Sequence, residues 1–100
     1  MNPDDLADAL RRRLPRARQH RWLALAHPRT PTERAWLLIG LGVSLRYCRD
    51  YDEALKAFDA AVALNPDSRA QRAAYVCAVA VHRDRGDDAA ARRISRSMPE

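Results

Sequence analysis

Residues 41–66 read LGVSLRYCRDYDEALKAFDAAVALNP, two helix-period runs separated by one short break. In the second run Ala54, Leu55, Phe58, Ala61, Val62 and Leu64 recur at helical spacing, the pattern of a helix that buries one face. Asp50, with Glu53 three residues on, marks its start as an acidic cap followed by a capping-box glutamate. Upstream, Thr30, Pro31 and Glu33 supply an N-cap, a proline at the first helical position and a second capping-box glutamate. A helix is therefore expected from about Pro31 to Cys48. Only a tight turn fits between Cys48 and Asp50, which forces the two helices into an antiparallel hairpin. Ala54, Ala57 and Ala61 would let the backbones approach closely while Phe58 fills the gap.

Outward from this hairpin the chain stays helical. LNPDS (Leu64 to Ser68) stops the second helix and Pro66 can open the next. That helix is expected from about Asp67 to Asp84, with Ala70, Ala73, Ala74, Cys77, Ala78 and Val81 on its packing side. Gly86 suits the left-handed position after its end, and Asp87 or Asp88 can cap a last helix through AAARRISRSM. At the other end, Pro3 lies near a helix start with Asp4, Asp5 and Asp8 in front and Arg11, Arg12 and Arg13 behind, the order that the helix dipole favours. Leu6, Ala9, Leu10 and Leu14 give that helix a thin apolar stripe, and Pro15 ends or kinks it. A further segment, RARQHRWLALAH, sets Trp22, Leu25 and Ala26 on one face before HPRTP breaks it. The expected fold is all-α, with about five or six helices and no strand.

Length and composition bound the rest. One hundred residues, 47% hydrophobic and 31% charged, allow one compact folded domain and exclude a second or a disordered chain. Cys48 and Cys77 form no Cys-x-x-Cys pair and no apolar leader opens the sequence, so cytoplasmic residence with free thiols is expected. The longest apolar stretch, Ala35 to Leu45, is far shorter than the ~20 residues that cross a bilayer. The net charge of +5 is carried almost wholly by arginine. Arginine favours bidentate pairing with carboxylate or phosphate, but the same bias arises from a genome rich in G and C.

With these residues in place, the central stretch resembles a tetratricopeptide repeat. The family's Leu-Gly pair resembles Leu41 and Gly42, its large first-helix residue falls on Leu45, and the tyrosine after the turn on Tyr51. The small and aromatic positions of its second helix fall on Ala54, Phe58 and Ala61, with Pro66 closing the repeat. Leu38 occupies the usual early tryptophan position, while Trp36 stands two residues earlier. RGDDAAARR looks like the turn and second-helix opening of a further unit, although Asp50 and Asp87 are 37 residues apart against the family's usual ~34. The expected organisation is a single domain, 1–100, with an N-terminal helical cap at 4–27, a hairpin at 31–66 and a divergent hairpin at 67–98, stacked as a short α-solenoid.

The resemblance implies a groove, lined by the first helix of each pair, that binds peptides or helices. Leu38, Leu41, Gly42 and Leu45 fit the inward packing set, and Trp36, Ile39, Val43 and Tyr47 the groove-facing side, with Arg69 and Arg72 nearby; Arg83 is a further arginine there. The N-terminal RWLALA segment, a second copy of the chain or an apolar segment of another protein would each cover such a stripe. Ile39 and Val43 stand where a carboxylate clamp would need polar groups, which disfavours that type of tail recognition. The expected function is non-catalytic binding of a protein partner, as an adaptor or small chaperone. The alternative is nucleic-acid binding or association with a transcription regulator through the basic cluster Arg11, Arg12, Arg13, Arg16, Arg18 and Arg21, which otherwise reads as a solvated or salt-bridged face. His20, His27 and His82 are scattered, no nucleophile or phosphate-loop motif occurs, and neither cofactor, metal nor catalytic residue is expected. The thin apolar face beside the basic cluster argues against membrane-surface binding.

Overall fold

A computed structural model describes residues 2–15 and 30–98. Among them are five α-helices: α1 (Pro3–Arg12), α2 (Pro31–Tyr47), α3 (Tyr51–Ala63), α4 (Ser68–Asp84) and α5 (Asp88–Ser97). The fold is a small all-α, tetratricopeptide-like packing of helices in which each helix from α2 onward packs on its successor. Helix α4 also packs back on α2, and α1 lies against both α2 and α3.

Local chemistry sets the helix starts. Thr30 caps α2 by accepting from the Glu33 N–H at 3.0 Å, with Pro31 next in the chain. Asp67 and Asp87 cap α4 and α5 in the same way, accepting from the Ala70 and Ala90 N–H groups. Helix α1 is capped by Asn2, which accepts from the Asp5 N–H at 2.8 Å. Asp50 departs from expectation. It occupies the N-cap position of α3 but makes no side-chain cap hydrogen bond, and its carboxylate instead accepts from Arg13 Nε at 2.7 Å. This guanidinium–carboxylate bond is charge-assisted, and it ties the end of α1 to the hairpin turn.

The turns α2–α3 and α4–α5 are built alike. In the first, the Asp50 N–H donates to the Leu45 carbonyl and the Arg49 N–H to that of Arg46; in the second, Asp87 donates to His82 and Gly86 to Arg83. Both are Schellman closures. The left-handed residue is Gly86 (φ 76°) in one and Arg49 (φ 62°) in the other. A side chain in that region carries a penalty that glycine lacks. Arg49→Gly is accordingly expected to stabilise the protein by about 1 kcal/mol, read as a raised urea midpoint; an unchanged or lowered midpoint would show that the turn relaxes around the arginine.

The core is continuous from α1 to α4. Leu10, Leu38, Leu41, Leu45, Phe58 and Val81 are its largest fully buried side chains. The inward packing set of α2, Leu38, Leu41, Gly42 and Leu45, is buried as expected. Alanine lines most of the interfaces around it: Ala54, Ala57 and Ala61 on α3 and Ala70 and Ala74 on α4 are all fully buried. A Cβ built on Gly42 would meet Phe58 Cε1 at 2.5 Å, so α2 and α3 cross with the phenyl ring lying where that methyl would be. The segment RARQHRWLALAH, together with Arg16, Arg18 and Arg21, lies outside the described residues.

Candidate protein-binding face

Helix α2 is apolar nearly all round, yet only part of it is covered. Trp36 is 43% exposed and Tyr47 69%, and Val43 is half-buried against the core. At about 100° per residue these three side chains lie within about 20° of one line along the helix. Ile39, expected on the same stripe, is 5% exposed and belongs to the core. The reason is geometric. Ile39 stands about 60° off that line and one heptad before Arg46, whose guanidinium bonds Asp84 of α4 at 2.6 Å; that side of α2 looks at α4, not at solvent.

The adjoining face belongs to α4. Arg69, Arg72, Val76 and Arg83 lie within about 60° of one another around its axis. All four are exposed, Val76 at 50%. Val76 was not expected from the sequence, where its run of valine and alanine gives no hint of which valine faces out. Where α4 meets α5, an open cleft is lined by Val76, Val79, Ala80, Arg83, Ser95 and Met98, with Arg46 and Asp84 joining it from the α2 side. The Arg46 guanidinium also lies 6.0 Å from the centre of the Tyr47 ring. The hydrogen bond from Arg46 holds the Asp84 carboxyl below the ordinary carboxylate value against a smaller effect of burial. The bridge therefore contributes fully to the α2–α4 contact above the unfolded carboxylate pKa and is lost as pH falls through the lowered folded-state value.

The described part of the basic cluster is engaged elsewhere. Arg11 pairs with Asp8 at 2.8 Å and Arg13 with Asp50 at 2.7 Å, and Arg12 is likewise not without a partner. Arg34 meets Asp4, Arg85 meets Asp52 and Lys56 meets Glu53. These residues hold α1 to the hairpin and decorate its flank.

A second cleft, between α3, α4 and α5, is lined by Phe58, Asp59, Val62, Tyr75, Ala78 and Ile94, with Ala74 at its base. Asp59 is exposed overall, but partial burial of its carboxyl in this cleft raises its pKa, and the charge of nearby His82 opposes this only in part. A raised folded-state pKa stabilises the fold at acid pH and is a cost once pH rises through it. Asp59→Asn is therefore expected to be more stable than wild type at neutral pH. The gain should vanish below the ordinary carboxylate range in urea melts over a pH series; a pH-independent gain would assign it to helix propensity.

Among the described residues no group of three or more His, Cys, Asp or Glu side chains is placed to hold a metal ion. Cys48 is exposed and Cys77 partly buried, both as free thiols, and burial raises the Cys77 pKa, which makes it a poorer nucleophile. No helix among the described residues is long and apolar enough to cross a membrane.

Paired helices closed by matching turns, with one face of the first helix left open, have the architecture of helical-repeat hairpins. The family model described as Tetratricopeptide repeat matches residues 35–68, so that stretch, most of α2, all of α3 and the turn into α4, is similar to one tetratricopeptide repeat. Comparisons with curated proteins and with solved structures returned no match.

Proposed function

We propose that this protein is a non-catalytic interaction module, an adaptor or small chaperone of the cytoplasm, that receives an apolar segment of a partner protein on the open face of α2 and α4. The observation that carries this reading is the exposure of Trp36 and Tyr47 in line with Val43 on the first helix of a tetratricopeptide repeat. Large aromatic side chains exposed in a row lose contact with water when a partner lies on them, and such residues dominate binding energies at interfaces. The second hairpin, 67–98, extends the face as a divergent repeat whose turn repeats the closure of the first.

Panning a random peptide library on the immobilised protein tests the reading. Wild type should enrich peptides sharing an apolar spacing, and Val43→Asp should lose them while Tyr75→Ala, on the other side of α4, retains them. Enrichment indifferent to Val43→Asp, or none, would remove the face from the account.

A further inference from the structure

The charges of the two halves are neutralised differently. In α1–α3 the described cations are largely met by acids, through Arg11–Asp8, Arg13–Asp50, Arg34–Asp4 and Lys56–Glu53. On the open stripe of α4, Arg69, Arg72 and Arg83 are exposed, and none of them is among the ion pairs of the described residues. Of the carboxylates at the two ends of α4, Asp67 accepts from the Ala70 N–H and Asp84 is paired with Arg46. An apolar row on α2 thus runs beside a cationic row on α4 that no acid among the described residues answers.

We infer that the occupant of this face is an acidic amphipathic helix, with an apolar stripe for Trp36, Val43, Tyr47 and Val76 and a flanking row of carboxylates for Arg69, Arg72 and Arg83. The inference rests on the interaction reading above and adds the partner's chemistry. Packed helices lie about 8–10 Å apart, so a third helix seated between α2 and α4 presents one side to each row at once. A strand lying flat on this face would direct only its alternate side chains at it. From Arg69 to Arg83 the row covers about 21 Å of helix, the length of about 14 helical residues. Arginine forks bind carboxylates bidentately, so carboxylates along the partner's flank would fix its register and polarity. No terminal carboxylate is required.

The test uses two synthetic peptides of about 14 residues, each acetylated and amidated, sharing a leucine row at i, i+3, i+4 and i+7. One carries glutamates along the flank and the other lysines at the same positions. Binding of each fluorescent peptide is measured by anisotropy to wild type, to Arg69→Glu/Arg72→Glu, to Arg92→Glu/Arg93→Glu and to Val43→Asp, all first checked for helical circular dichroism. The expected result is a preference of wild type for the acidic peptide of about tenfold or more. That preference should weaken with salt, invert in Arg69→Glu/Arg72→Glu and persist in Arg92→Glu/Arg93→Glu. Equal binding of both peptides, lost in Val43→Asp, would overturn the acidic-partner inference and leave the apolar face standing. Binding of neither peptide, in a protein whose mass by light scattering rises with concentration through the same face, would overturn it in favour of a second copy of the chain. Neither peptide binding to a monomer would remove the face as well. A labelled DNA or RNA duplex bound through Arg69 and Arg72 in place of either peptide would overturn it in favour of phosphate recognition.

Discussion

Phe58→Ala is expected to cost about 3–5 kcal/mol, a large share of the 5–15 kcal/mol that holds a typical domain together. Phe58 is 0% exposed and sits where α2 and α3 cross, and much of the surrounding wall is alanine, which cannot extend into a void. The lining of such a cavity cannot collapse far, so the cost belongs at the upper end of the range for lost core side chains. Urea unfolding followed by circular dichroism reads it directly. A loss below about 2 kcal/mol would mean that α2 and α3 close up over the missing ring.

Gly42→Ala is the complementary experiment, adding one methyl where none fits. On helix propensity alone alanine should gain up to about 1 kcal/mol over glycine. The new Cβ would stand 2.5 Å from Phe58 Cε1 and 2.8 Å from Cζ, and a fully buried ring has nowhere to turn. Overpacking is expected to win, with a net loss of about 2 kcal/mol. Because methyl and ring compete for one space, the double variant Gly42→Ala/Phe58→Ala should cost less than the two single losses added together. A coupling of at least ~1 kcal/mol between contacting residues is the expected reading. Strict additivity would show that the clash is relieved by a shift of the whole helix, not by the ring.

Much of this was legible in residue order. Caps and turns are local chemistry: Thr30 with Glu33 and Asp87 act where they were expected, Gly86 takes its left-handed conformation, and Asp67, expected as the first helical residue after Pro66, is instead the cap of α4. The tetratricopeptide resemblance located the Gly42–Phe58 crossing, because a glycine and an aromatic ring at that offset have one packing solution. Asp50 was read as a cap because its neighbours in sequence suit one; its partner, Arg13, comes from 37 residues away, and no local pattern signals that.

The candidate face was legible only in part. Trp36, Val43 and Tyr47 share a line that helical periodicity reveals, but Ile39 lies near enough to that line to be counted with it. Its burial depends on where α4 lands. Likewise, the sequence places Arg69, Arg72 and Arg83 near the groove but, in a chain with 18 basic residues, gives no sign of which cations are paired. Which cations are left unanswered is a property of the distances between helices.

By itself the sequence determined the helices, their caps, the single well-formed repeat and the close crossing of α2 and α3, since each depends on side chains within a turn or a hairpin of one another. Only the tertiary structure decided that Ile39 is core, that Asp50 serves α1 instead of α3, and that Arg69, Arg72 and Arg83 stand on α4 with no acid among the described residues paired to them. Those outcomes follow from contacts between distant segments, where burial and pairing depend on which surface arrives, not on which residues stand next in the chain.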